Sequence, residues 1–165
     1  MQDVKRDPPV MPKDYGVPEG DDGLLPWEHV TGRMAAAINY WVATVRPDGR
    51  PHASAVWGTW LDDALYFDGS PETRRGRNIA ANPHIAVHLE SAKDVVILEG
   101  TATEITPDRA FAERLAAALG VKYTPLGYTP TAATWDGGGL WRVRHRLVIA
   151  FTDFPKDATR WRFPE

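Results

Sequence analysis

Two hydrophobic periods alternate along the chain, and their order outlines a mixed fold. Residues 1–26 keep neither period and are rich in proline, glycine and aspartate. They read as an extended arm, ordered only by packing on the body or on a second subunit. Pro26-Trp27-Glu28 then opens a helix, with proline at an early position and an acid in the first turn. Val30, Met34, Ala37 and Ile38 hold a 3.6-residue period behind it. A strand-like run, Tyr40 to Val45, ends at the tight-turn signal Pro47-Asp48-Gly49-Arg50, so His52 to Leu61 should fold back antiparallel. Leu61 to Ala64 makes a second turn and Ala64 to Phe67 a third strand. Two successive hairpins predict a meander, whose edges must be closed or covered.

Thr73 to Ala81 reads as a short helix stopped by Asn82-Pro83. Ile85 to Leu89 and Val95 to Thr103 are two further strands. Thr106-Pro107-Asp108 caps a helix through Leu119, with Gly120 as terminator. Tyr123 to Gly139 is a long Thr/Gly/Pro loop, of the sort that is usually functional or interfacial. Leu140 to Phe151 supplies the last long strand, and Thr159 to Phe163 closes the chain. The expectation is an α+β fold: a small barrel of six mostly antiparallel strands over residues 27–165, with short helices in the connections.

Composition narrows the chemistry. The chain has 165 residues, enough for one domain, and no cysteine, which excludes disulfides, thiolate-bound zinc and a thiol nucleophile. A net charge of -3 gives no global pull toward nucleic acid. The longest uncharged apolar stretch, Met34 to Val45, is too short to cross a bilayer. Lys5, Arg6 and Asp7 lead into prolines and not into an apolar leader, so a cytoplasmic location is expected. Seven tryptophans are left to be explained.

Thr73-Arg74-Arg75-Gly76-Arg77-Asn78 is the most informative segment. Three arginines open a helix, where the positive end of the dipole disfavours cations by roughly 0.3–1 kcal/mol each. A bound anion would offset that cost, and free N–H groups, a threonine hydroxyl and guanidinium forks suit phosphate. The same segment also fits a solvated basic turn paired with Glu72 or Asp68. His84 and His88, in an alternating strand, stand about 13 Å apart at ~3.3 Å per residue and cannot share one metal ion. No G-x-S-x-G elbow surrounds any serine. Glu90 and Glu99 face solvent or arginine more readily than each other. Any hard chemistry would therefore belong to a cofactor, and no catalytic side chain can be named.

Three tracts, in order, carry a resemblance. Pro51-His52-Ala53-Ser54-Ala55-Val56-Trp57, Tyr66-Phe67-Asp68-Gly69, and Thr73-Arg74-Arg75-Gly76-Arg77-Asn78-Ile79-Ala80-Ala81-Asn82-Pro83 together resemble the pyridoxamine 5'-phosphate oxidase-like split-barrel superfamily, including its flavin- and deazaflavin (F420)-dependent oxidoreductases. The resemblance implies FMN, or alternatively F420, bound between the subunits of a homodimer that acts on a small-molecule substrate. It implies that Ala53, Ser54, Ala55 and Val56 run along the cofactor ring, flanked by His52 and Trp57. Thr73, Arg74 and Arg75 would grip phosphate with Asn78 behind them, and Gly69 and Ser70 would meet the ribityl chain. Trp141 and Arg142 would reach the partner's ring.

Trp57 stands where the family usually has lysine, and Arg142-Val143-Arg144-His145-Arg146 lacks the family's late Arg-x-His-Asp-Arg element. The expectation is thus hydride transfer to or from a small organic molecule other than pyridoxamine phosphate. A non-catalytic carrier of flavin, F420 or haem is the rival on the same barrel. A single-strand nucleic-acid module is disfavoured by the net charge. Of the tryptophans, Trp41 and Trp60 are expected on barrel faces, and Trp57, Trp141 and Trp161 around the ring site and dimer seam. Trp27 and Trp135 could pack on either.

Overall fold

The computed structural model describes residues 4–164, so the first three residues of the predicted arm lie outside the described residues. The described residues form one sheet of nine strands, three more than expected: β1 (Lys5–Asp7), β2 (Tyr40–Val45), β3 (Pro51–Val56), β4 (Gly58–Leu61), β5 (Ala64–Asp68), β6 (His84–His88), β7 (Val95–Ile105), β8 (Leu140–Phe151) and β9 (Thr159–Arg162). Three α-helices, α1 (Trp27–Ala36), α2 (Arg74–Ala81) and α3 (Arg109–Tyr123), fill the connections.

The extra strands have identifiable causes. β1 lies in the arm and pairs with β9, pinned by Asp7, which binds Arg160 Nε at 2.9 Å and Arg162 Nη2 beside it. Burial works to raise the Asp7 carboxyl, but the two guanidiniums overcome it and hold the group below its usual value. The run from His52 to Leu61 breaks at Trp57 into β3 and β4, which pair with different partners. β3 pairs only with β2, and β4 only with β5. The expected meander is therefore two hairpins that separate at a bend.

β8 explains the barrel's shape. Along its whole length it pairs with β7, while its other edge is divided: Leu140–Val143 meet β5 and Leu147–Ala150 meet β9. The split between these halves is plugged by His145, whose ring lies 5.5 Å from Trp60, 5.6 Å from Trp27 and 4.3 Å from Phe163. Burial depresses the protonation of that imidazole, with Asp63 opposing. Trp161 belongs to this cluster, 5.5 Å from Trp27, and is buried in the core. The expectation that it borders a ring site is corrected: β9, paired with β8, turns it into the core.

Two cores result. The barrel interior holds Val30, Met34, Tyr40, Val42, Phe67 and Leu98 among others. A second core lies between α3 and the β4–β5 hairpin, around Leu115, Leu119, Tyr123, Trp135 and Leu140. β5 serves both, with Leu65 and Phe67 in the barrel and Ala64 and Tyr66 under α3, hence its unbroken apolar run. α1 buries Val30 and Met34 but stops at Ala36, leaving Ile38 exposed in the connector to β2. The opposite sheet face points outward. Trp41, Ile97 and Ile149 form one row across β2, β6, β7 and β8, through His88, and Ala43, Ala86, Glu99 and Leu147 form the next.

A register shift between Glu99 and Gly100 lets β7 follow β8 through the bend. A Cβ at Gly100 would stand 2.1 Å from the Arg144 carbonyl oxygen. Gly100→Ala is accordingly expected to destabilise the fold by at least about 2 kcal/mol. Urea unfolding measures this, and an unchanged midpoint would contradict the close approach.

Candidate functional site

Helix α2 begins at Thr73, whose Oγ1 accepts the Gly76 N–H at 3.1 Å and donates to the Ser70 carbonyl at 2.8 Å. Such a cap is worth about 1 kcal/mol. With the Arg77 N–H bonded to the Thr73 carbonyl, the N–H groups of Arg74 and Arg75 remain without helical acceptors. The helix is seated from behind by Asn78, fully buried, whose Nδ2 donates to Thr44 Oγ1 at 2.9 Å. Asn78 thus ties α2 to β2, while its Oδ1 is buried without a partner. Gly76 packs so closely on Pro71 that a Cβ would lie 2.4 Å from its carbonyl oxygen.

The three arginines diverge. Arg74 is exposed, and Arg77 folds back onto the Glu72 carbonyl. Arg75 turns inward over the Phe67 ring, 5.4 Å from its centroid, and donates from Nη1 to Ser54 Oγ at 3.0 Å. Burial pulls its protonation down from the usual range, and the Asp68 charge opposes the shift. Its Nε is buried without a partner.

Arg75, Asp68, Asn39, Ala55, Val56 and Trp57 line a pocket of about 360 Å³. Trp57 is the aromatic wall, stacked on Tyr123 at 4.8 Å and 13°. Tyr123 is itself clamped: its hydroxyl accepts the Gly58 N–H and lies 2.8 Å from the carbonyls of Gly58 and Ile38, which share its proton. Beside it Lys122 Nζ donates to the Ala37 carbonyl at 2.8 Å and to Tyr40 Oη at 2.9 Å. Burial brings the Lys122 ammonium down to about 8.

A second cleft, of about 400 Å³, adjoins the pocket through Asp68 and is walled by Gly69, Ser70, Trp135 and Gly137 to Gly139. The Gly69 N–H donates to the Gly139 carbonyl at 2.9 Å, and the Gly139 N–H to Glu104 Oε1 at 2.7 Å. Gly138 and Gly139 have φ of 89° and 82°, conformations that favour glycine.

The predicted residues therefore separate. Ser54, Ala55, Val56, Trp57 and Arg75 gather at the pocket, and Gly69 and Ser70 at the adjoining cleft. Ala53 points to the outer sheet face, paired with Ala43, and His52 stands beside Thr44. The expectation that Trp141 reaches a partner's ring is corrected. Its indole is buried, stacks on Phe67 and donates to the Gly69 carbonyl at 2.8 Å, so it supports the loop from beneath. Arg142 is exposed on β8, opposite Tyr66 and Thr103. Sequence reasoning missed Asp68 and Tyr128, whose hydroxyl donates to Asp68 Oδ2. It also missed Trp135, although Trp135-Asp136-Gly137-Gly138-Gly139 carried a signal in its three consecutive glycines. Among the described residues, no group of three or more His, Asp or Glu could hold a metal ion, and no helix is long and apolar enough to cross a membrane.

A split barrel with a guanidinium-and-tryptophan pocket at one helix start defines the class. The family model described as pyridoxamine 5'-phosphate oxidase matches residues 33–150, and the chain belongs to that family. It is 32% identical over 127 residues to the pyridoxine/pyridoxamine 5'-phosphate oxidase of Bacteroides thetaiotaomicron, covering 73% of this chain and 53% of that one. The chain thus spans about half the length of that relative. Among solved structures, it resembles an F420 reductase at TM-score 0.55 and 26% identity, over 71% of this chain and 93% of the other. A heme-binding protein from Mycobacterium smegmatis shares the fold at TM-score 0.62 and 23% identity, over 82% and 58% of the two chains.

Lys122 generates a pH signature. Its folded value lies below the ~10.4 of an unfolded lysine, so between these values the unfolded chain binds the extra proton. The Lys122 contribution to stability therefore rises with pH from about 8 upward. Denaturant unfolding at several pH values across that window should show a positive slope in the wild type and a smaller one in Lys122→Met. Equal slopes would refute the assignment.

Proposed function

We propose that the chain is an oxidoreductase subunit that holds a phosphate-bearing flavin-type cofactor, FMN or alternatively F420, in the Arg75–Trp57 pocket. The carrying observation is the Arg75 guanidinium. It is desolvated and bonded to Ser54, and its buried Nε has no partner, at a helix start with open N–H groups. A partly desolvated cation is costly, and an anionic oxygen beside the guanidinium would offset its charge. Gly69 fits the same role, since a Cβ there would stand 2.4 Å from Arg75 Nη2.

Bound there, such a cofactor supplies hydride transfer to or from a small organic substrate. The chain's own residues do the rest. Arg75 fixes the anion at the start of the helix that Thr73 caps, and the Trp57 ring, backed by Tyr123, offers a flat wall. Ala55 and Val56 keep the strand side apolar and short. The pocket lining contains no His, Met, Cys or Tyr, the side chains that ligate haem iron, which favours a flavin over haem.

The functional unit is a homodimer in this reading. The outer sheet face carries Trp41 at 37% exposure and Val45 at 38%, beside Ala43, Ala86, Ile97 and Ile149, an apolar surface interrupted by His88 and Glu99. It continues onto β3, which leads into the pocket. A sedimentation experiment is expected to give a dimer, and Trp41→Glu to shift it toward monomer. A wild type that sediments as a monomer would overturn this part.

Titration of the purified protein with FMN and with F420, followed by absorbance and fluorescence, tests the cofactor. Arg75→Ala should weaken binding by about ten- to a hundredfold, the loss of a charge-assisted contact, with the fold intact by circular dichroism. Failure of both cofactors to bind below about millimolar, or unchanged affinity in Arg75→Ala, would reject the reading.

A further inference from the structure

The cleft beside the pocket has a chemistry of its own. Its only charged side chain is Asp68, and no lysine, arginine or histidine lines it. Asp68 stands on the shared wall, lining both spaces. One of its oxygens, Oδ2, accepts the Tyr128 hydroxyl, which holds the carboxylate in place. Burial first, and then the Asp68 charge, raise the Tyr128 phenol above its usual value, so the proton stays on tyrosine.

Arg75 does not neutralise the carboxylate by contact. Its guanidinium bonds Ser54 and covers the Phe67 ring, with Nη2 close against Gly69. The rest of the cleft is uncharged: Ser70, Pro71, Thr134, the Trp135 side chain and Gly137 to Gly139. Gly137 is exposed, whereas Gly139 is buried with its N–H on Glu104 Oε1 and its carbonyl on the Gly69 N–H. Such a wall carries one negative charge and no cation, which would repel a second phosphate and attract an ammonium group.

We propose that this cleft is the substrate subsite and that it selects an organic ammonium group lacking phosphate, held by Asp68. The inference rests on the neighbouring pocket being the cofactor site. It also accounts for the different placement of basic residues here: Arg142 and Arg144 are exposed on β8, and neither lines the cleft. Arg75 lines the pocket and not the cleft, whereas Asp68 lines both and is the cleft's one charged side chain. Asp68 is a specificity-determining residue in this arrangement.

The test uses the full chain, labelled for NMR, and three matched probes: benzylamine, benzyl alcohol and benzoate. Readouts are the assigned amides of Gly137 to Gly139 and the Trp135 indole N–H. Benzylamine should shift these signals at about tenfold lower concentration than benzyl alcohol, and benzoate should leave them unmoved. In Asp68→Asn, which keeps an acceptor for Tyr128, the amine should lose its advantage over the alcohol. The wild-type series decides the sign even if the variant folds poorly. Benzoate binding as well as the amine, no shift with benzylamine, or an amine preference that survives in a folded Asp68→Asn would each overturn the proposal. The cofactor reading is read out separately. FMN or F420 binding lost in Arg75→Ala together with benzoate preference sinks only the ammonium subsite. Benzylamine selectivity without any cofactor binding sinks the cofactor reading and with it the cleft's role toward a substrate.

Discussion

The hydroxyl of Tyr123 is the point on which the site's geometry depends. From the last turn of α3 it reaches both peptide groups of Gly58 and the Ile38 carbonyl, joining three segments far apart in sequence. Without that clamp the Gly58 N–H at the bend between β3 and β4 would lose the hydroxyl that accepts it, and an unpaired buried peptide group costs on the order of 1–3 kcal/mol. The bend in turn sets Trp57, which stacks on the same tyrosine. Lys122 reinforces the joint by bonding the connector at Ala37, at the cost of a partly desolvated charge. Gly58 can serve because a Cβ there would stand 2.5 Å from the Tyr66 carbonyl oxygen.

Charge placement follows from this frame. Helix α2 is seated by Asn78 on Thr44 and capped by Thr73, so its first turn meets β3 at Ser54. Arg75 is thereby held where both the dipole and burial disfavour a cation. Asp68, five residues before the Thr73 cap, offsets part of that cost through its charge. The Gly69 loop is kept thin by the Trp141 indole below and Gly139 beside it. Arg75 and Asp68 consequently share the pocket, and Asp68 alone carries charge into the adjoining cleft.

Much of the fold was legible in the residues. Tyr40–Val45, Ala64–Phe67 and Leu140–Phe151 are apolar or alternating runs bounded by turn residues, and each became a strand. Thr73 and Asp108 carried helix starts that their side-chain caps bear out. Less legible were β1 and the Trp57 break. β1 is three residues of charged sequence that form a strand only because β9 offers an edge and two arginines. At Trp57 no proline or glycine precedes the bend, and the break is imposed by partners on opposite sides. The site was partly legible: Arg75 and Ser54 were named, whereas Asp68, Tyr128 and Trp135 depend on a loop that no periodicity describes.

What the residues determined by themselves were local propensities: where strands run, which helices are capped, and that one helix begins with cations. Periodicity and capping act over a few residues, so a single sequence displays them. Tertiary structure decided which cation turns inward, that Asn78 and Trp141 are supports, and that Trp161 plugs a core. Those outcomes depend on which strand edge lies opposite which, as in the divided edge of β8. Such pairings join residues far apart along the chain, and burial, the force that fixes them, has no signature at any one position.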